Sequence, residues 1–193
     1  MFSWFSFLSY IIITAITPGA NNIMSMINAQ KVGFKKSLSF NFGVLFGFSI
    51  VMTICTIFCK VLSFYIPKIQ FFMQIIGAFY LIYLAYKTIK STFNQNQKWQ
   101  KAGFVSGALL QFINPKIYIY AIISMQTFIL PHFENDFYTL SFFVFLLSFT
   151  GFVCTLIWSL FGSFLGVLFS KYLKITNSVL ALMLVYCAFS LFY

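Results

Sequence analysis

The sequence predicts an all-α integral membrane fold: six transmembrane helices arranged as two inverted three-helix repeats, with helices 1 and 4 broken near the bilayer midplane. Three observations carry this. A chain of 193 residues with 61% hydrophobic and 7% charged residues, at a mean hydropathy of +0.94, has too few charges to cover a soluble globule. Two apolar runs, from Trp4 to Asn28 and from Gly103 to Leu130, are each interrupted by breaker and polar residues. The lysines gather in alternate connections, as topology signals do. Strand-like alternation is missing, which excludes a transmembrane barrel.

Taken in order, the spans are expected at 4–29, 38–59, 69–90, 103–130, 138–169 and 175–193, the fifth long enough to tilt or to extend beyond the bilayer. No Lys or Arg precedes the first span, so it lacks the charged start of a cleavable signal peptide and is expected to stay as a true span. Lys31, Lys35 and Lys36 follow span one; Lys87, Lys90, Lys98 and Lys101 surround the third connection; Lys171 and Lys174 precede span six. The opposite side carries Lys60, Lys68 and a loop with His132, Glu134 and Asp136. Positive-inside reasoning places the lysine-rich loops in the cytoplasm and both termini outside. The whole chain, 1–193, is then one membrane domain: a first repeat over 1–90, a cytoplasmic linker over 91–101 and a second repeat over 102–193. Three spans is an odd number, so the second repeat enters from the other side, which is the geometry of inverted-topology transporters. The net charge of +10 is accounted for by this topology rather than by nucleic acid. All twelve basic residues are Lys, so the bidentate phosphate fork of Arg is missing too.

The first break is Thr17-Pro18-Gly19-Ala20-Asn21-Asn22. Pro18 frees the carbonyl of Thr14 and Gly19 lets the chain bend. Thr17 reads as an N-cap with Pro18 at the first helical position, leaving the N–H groups of Gly19, Ala20 and Asn21 unpaired. The second break, Asn114-Pro115-Lys116, has the same grammar. Unsatisfied backbone in hydrocarbon costs several kcal/mol unless it lines a protein-walled cavity. Two half-helix N-termini facing each other across such a cavity would attract a carboxylate. Polar stripes surround both breaks: Thr14, Thr17, Asn21, Ser25 and Asn28 in span one, and Gly107, Gln111, Asn114 and Tyr118 in span four. Such stripes also serve plain helix–helix hydrogen bonding. Lys116 is the one ionisable residue deep in a span, at a cost of about 2.5–3.5 kcal/mol unless it finds a partner or water. It is neutral, snorkels, or meets a substrate or coupling ion. The candidate substrate-binding residues are therefore Thr17, Asn21, Asn22, Gln111, Asn114 and Lys116, with Pro18, Gly19 and Pro115 as break or hinge positions.

Gly43 and Gly47, Gly103 and Gly107, and Gly162 and Gly166 form GxxxG pairs that read as close helix packing. Cys55, Cys59, Cys154 and Cys187 all lie in apolar runs, where no disulfide is expected. Cys55 and Cys59 share a helical face at i, i+4, but with no carboxylate nearby packing explains them better than metal, and neither a metal nor a cofactor is expected. A membrane enzyme is disfavoured because the sole His and both acids sit in one loop. A non-transporting assembly subunit would not need a polar midplane.

The two breaks, together with Gly77-Ala78-Phe79-Tyr80-Leu81-Ile82-Tyr83-Leu84-Ala85-Tyr86-Lys87, resemble motifs of the LysE/RhtB-type amino-acid exporters: TPGPN in the first span and GAxYLxYLG in the third. Ala20 stands where that family usually has a second Pro, and Ala85 where it often has Gly. The resemblance implies six spans in a bacterial cytoplasmic membrane and export of amino acids or close derivatives, commonly energised by protons. Export of another small solute or a metal ion within the same superfamily is the nearest alternative. The residues themselves favour a neutral amino acid over a cationic one, because the only acids, Glu134 and Asp136, belong to an outer loop. Oligomeric state is left open, with a homo-oligomer among the expectations.

Overall fold

The computed structural model describes residues 2–93, 102–133, 136–168 and 173–192, and among these all regular structure is helical. The first apolar run forms α1 (Trp4–Ile16) and α2 (Ala20–Val32), bent by 49° at the first break. α3 (Phe34–Ile57) and α4 (Cys59–Phe93) follow. The second broken run is α5 (Phe104–Ile113) and α6 (Pro115–Ile123), bent by 65°, with α6 passing through a π-helical turn (Ser124–Ile129) into a single turn, α7 (Leu130–Phe133). α8 (Phe137–Leu168) and α9 (Leu173–Ser190) complete the chain. Three helical segments, Phe34–Ile57, Gln70–Lys90 and Phe137–Gly166, are long and apolar enough to cross a membrane, five spans if each bent pair counts as one; Lys174–Ser190 is a shorter apolar helix. Large apolar side chains such as Phe5, Phe79, Phe145 and Leu182 stand exposed along these helices, a surface that a bilayer covers.

Several expected boundaries move. Gly33, at φ +81°, turns the chain so tightly that α3 starts at Phe34 with almost no loop. α3 meets α4 at Phe58, so Cys55 and Cys59 lie on different helices, yet both are buried in the same core cluster and both are free. Of the 91–101 linker, residues 91–93 continue α4 and the rest lie outside the described residues, as does Glu134.

The core divides into two clusters, and each broken helix gives one arm to each. One cluster joins Ile23 and Ile27 of α2, Phe40 and Val44 of α3, Leu81 and Leu84 of α4, Leu110 of α5, and Leu180 and Leu184 of α9. The other joins Phe7 and Ile11 of α1, Val51 and Met52 of α3, Ile117 and Ala121 of α6, and Phe143 and Leu147 of α8. The breaks fall between them. The α2/α5 end is the tighter one: α2 packs extensively on α8 and α5 on α3, whereas α1 and α6 touch α8 and α3 much less. Glycines make that closeness possible. A Cβ on Gly43 would lie 2.0 Å from the Phe104 carbonyl oxygen, one on Gly107 2.2 Å from that of Phe40, and one on Gly162 2.1 Å from that of Met26. Gly47 and Gly166 are similarly pressed by Ala108 and Gln30, whereas a Cβ on Gly103 would meet nothing among the described residues.

Hydrogen bonds reinforce the tight end. Ser25 donates to Asn41 at 2.8 Å, Asn41 to Ser159 at 2.8 Å, and Asn28 donates to the Ala102 carbonyl at 3.0 Å while accepting from its N–H at 3.3 Å. This part of the α2 polar stripe thus serves helix–helix bonding.

Candidate functional site

Four helix ends meet where the two breaks lie, and their backbone groups can be accounted for one end at a time. The carbonyl end of α1 is largely filled. Thr17 closes it, its N–H and hydroxyl donating to the Ile13 carbonyl at 3.1 and 2.5 Å. The Asn22 amide donates to Ala15 at 2.8 Å and Thr17 at 3.0 Å, and the Trp158 indole N–H reaches in from α8 to Ile16 at 3.0 Å. The Lys116 ammonium crosses from α6 to the Thr17 carbonyl at 3.0 Å. The Thr14 carbonyl, deprived of its helical partner by Pro18, accepts nothing from the described residues.

The N–H end of α2 is open. Here the expectation needs correcting: Thr17 does not cap α2. The cap position belongs to Gly19, extended at φ −165° and ψ 176°, which has no side chain to offer. The helix accordingly begins at Ala20, and the N–H groups of Ala20, Asn21 and Asn22 have no acceptor among the described residues.

At the second break the pattern reverses. Asn114 caps α6, accepting from the Lys116 N–H at 3.2 Å on its side chain and from the Ile117 N–H at 3.2 Å on its carbonyl, while Pro115 at the first position has no N–H to satisfy. The facing pair of open N-termini is therefore reduced to one. The carbonyl end of α5 is the open partner: Tyr118 donates to Phe112 at 3.3 Å, but no described donor reaches the carbonyls of Leu110, Gln111 or Ile113.

An amide cluster ties the two open ends together. Asn21 donates to Gln111 at 2.8 Å and Gln111 back to Asn21 at 3.1 Å, while Asn114 donates to Asn21 at 3.4 Å. Gln111 is fully buried and is further anchored on the Gly107 carbonyl at 2.7 Å.

Two chambers flank this cluster. The wider, of about 600 Å³, has Thr17, Pro18, Gly19, Asn114, Pro115 and Lys116 on its wall, faced by Gln74 and Tyr80 of α4 and Tyr186 of α9. The narrower, of about 40 Å³, has Asn21, Asn22, Phe48 and Thr155 together with Gly19, Asn114 and Lys116. Lys116 borders both and lies close over Gly19, where a Cβ would sit 3.3 Å from its Cδ and Nζ. Gln111 borders neither chamber and can act there only through Asn21.

Two residues that sequence reasoning passed over belong here: Trp158, which covers the end of α1, and Tyr120, which borders both chambers. A tryptophan N–H or tyrosine hydroxyl in mid-span needs a partner, and that need is the signal that could have found them. Asp136 stands far from this chemistry. It is exposed, accepts from the N–H groups of Tyr138 and Thr139 at the start of α8, and its carboxyl is held below the usual range, chiefly by the Thr139 hydroxyl and N–H.

The profile of the LysE type translocator family matches residues 12–193. A Cysteine/O-acetylserine efflux protein of Salmonella typhimurium (strain LT2) is 36% identical over 191 residues, 97% of this chain and 96% of the relative. One of the same description from Escherichia coli O6:H1 is 35% identical over 189 residues, with the same coverage of both chains. No solved structure matches.

Proposed function

The chain belongs to the LysE type translocator family, a family of membrane transporters and not of enzymes, and from that premise we propose that it exports a neutral amino acid or close derivative across the bacterial cytoplasmic membrane by alternating access. The carrying observation is the meeting of Lys116, the amide cluster and the open N-terminus of α2 at a cavity inside an otherwise apolar helical bundle. Lys116 gives one of its three donors to Thr17, so two remain for a carboxylate arriving beside α2. Thr17, Asn21, Asn22, Gln111 and Asn114 shape and position this site, with Pro18, Gly19 and Pro115 as its hinges. The relatives described as cysteine/O-acetylserine efflux proteins make small α-amino acids of that kind the first substrates to try.

Neutral selectivity follows from charge. No acid among the described residues borders either chamber, so a cationic side chain beside Lys116 would stay uncompensated where like charges repel strongly.

The two halves, 1–90 and 102–193, are read as inverted repeats joined by the 91–101 linker, six spans in all, with both termini outside. The division of each broken helix between two clusters supports this reading, because α1 shares its cluster with α6 and α2 shares its own with α5. With the lysine-rich side in the cytoplasm, the glycine-packed α2/α5 end closes toward the cytoplasm and the loosely held α1/α6 end faces outward. Labelling of a cysteine at position 96 from outside intact cells would overturn that orientation. Protons are the proposed coupling ion, and a homo-oligomer is compatible with the exposed apolar faces.

The experiment is counterflow in proteoliposomes with labelled cysteine, O-acetylserine, leucine, lysine and divalent metal ions. The proposal expects exchange of one or more neutral amino acids and at least about tenfold less lysine exchange. Lysine exchange equal to that of the neutral amino acids contradicts the charge argument, and metal flux alone moves the protein to the other exporter class.

A further inference from the structure

Of the four helix ends at the breaks, the protein fills two with its own side chains and leaves two open, and the open pair is complementary. The N-terminus of α2 presents N–H donors and the positive end of a helix dipole. The C-terminus of α5 presents the unpaired carbonyls of Leu110 and Ile113, two residues on the wall of the wide chamber, and the negative end of a dipole. The Asn21–Gln111 amide pair holds these ends side by side. A further polar group lies beside them. Tyr120 is 3% exposed and borders both chambers, yet its hydroxyl has no hydrogen-bond partner among the described residues. A buried hydroxyl without a partner costs about 1–3 kcal/mol, and a polar ligand that reaches it would remove that cost.

We propose that the substrate binds as a zwitterion laid across the two breaks, its α-carboxylate on the first-turn N–H groups of α2 beside Lys116, its α-ammonium on the last-turn carbonyls of α5, and Tyr120 as a third polar contact. This rests on the amino-acid exporter reading and adds the orientation of the ligand and a residue for it. Opposite charges go to opposite dipole ends. The two complementary helix ends are met by one net-neutral molecule, with its carboxylate on the side of Lys116. The side chain of the substrate is left to the wide chamber, whose wall includes Tyr80 and Ile119 and whose volume of about 600 Å³ has room for a thiol or an acyl ester.

The test is competition against labelled L-cysteine on the purified full-length protein, wild type and Tyr120→Phe, by L-cysteine, cysteamine, which lacks the carboxylate, and 3-mercaptopropionate, which lacks the ammonium. On the wild type each truncated probe should compete at least about tenfold more weakly than L-cysteine. Tyr120→Phe should bind L-cysteine at least about threefold more weakly while its melting temperature stays level or rises, since the lost hydroxyl had no partner in the empty protein. A truncated probe that competes as well as L-cysteine shows that one end is not read and overturns the placement. So does a Tyr120→Phe protein that binds like the wild type. If Tyr120→Phe fails to fold, the wild-type comparison alone decides. These failures leave the exporter reading standing when amino-acid counterflow is present; its absence for every amino acid sinks that reading as well.

Discussion

The first and second breaks share a grammar of a polar residue followed by proline, yet the structure leaves opposite backbone groups open at each. At the first, carbonyls are covered by Asn22, Trp158 and Lys116 while N–H groups are bare. At the second, the N–H groups are capped by Asn114 while carbonyls are bare. One residue type decides each case. Gly19 in the cap position has no side chain to turn back onto the helix, whereas Asn114 in the same position does. A proline in an apolar run therefore marks a place where backbone groups are released; the residues around it determine which groups stay available to a ligand.

The breaks also differ in what they depend on. At the second, the N–H groups are capped locally, by Asn114 itself. The first relies on side chains delivered from α6 and α8, so its geometry is coupled to the packing of those helices.

Mutations at the two breaks test that contrast. Asn21 sits at the open end of one break and Asn114 at the capped end of the other, and the two share a hydrogen bond and both border the narrow chamber. Asn21→Ala and Asn114→Ala should each weaken binding of labelled L-cysteine, and the double variant should depart from additivity by about 0.5–3 kcal/mol. Clean additivity would mean that the breaks act as two separate sites. A smaller effect separates local from long-range closure. Asn114→Ala removes a cap and should lower stability by about 1 kcal/mol. Trp158→Phe removes one hydrogen bond to Ile16, at about 0.5–1.5 kcal/mol, but should also loosen the first break, which limited proteolysis or hydrogen exchange over residues 13–22 would report. Unchanged exchange there in the Trp158→Phe protein would show that the first break holds itself together.

The helical fold was legible because hydrophobicity and glycine spacing are written along the chain. The breaks at Thr17–Gly19 and Asn114–Pro115 were readable from the residue types themselves. What was not readable was which residue would occupy the cap position. Thr17 is a good N-cap by composition, but its hydroxyl turns back to Ile13 and closes α1 instead, a choice made by the backbone path through Pro18 and Gly19. The contributions of Trp158 and Tyr120 depend on tertiary placement of α8 and α6 over the breaks, which no local periodicity encodes. Asn22 looked like a ligand contact and also covers carbonyls of its own broken helix, because a side chain in the first turn of α2 can fold back over the bend. The helix boundary at Phe58, between Cys55 and Cys59, was hidden for a related reason: it cannot be seen in an unbroken apolar stretch.

The most direct measurement gives the first break the cap that the second already has. In Gly19→Asn the new side chain can accept from the N–H of Asn21 or Asn22, closing the open end of α2. Gly19→Ala is the control, adding the same Cβ beside Lys116, which must yield by a few tenths of an ångström, without supplying an acceptor. In labelled-cysteine counterflow, with both variants folded, the account predicts that Gly19→Ala retains exchange while Gly19→Asn loses at least about tenfold relative to it. Equal exchange by the two variants would contradict the claim that the open N-terminus of α2 binds the substrate.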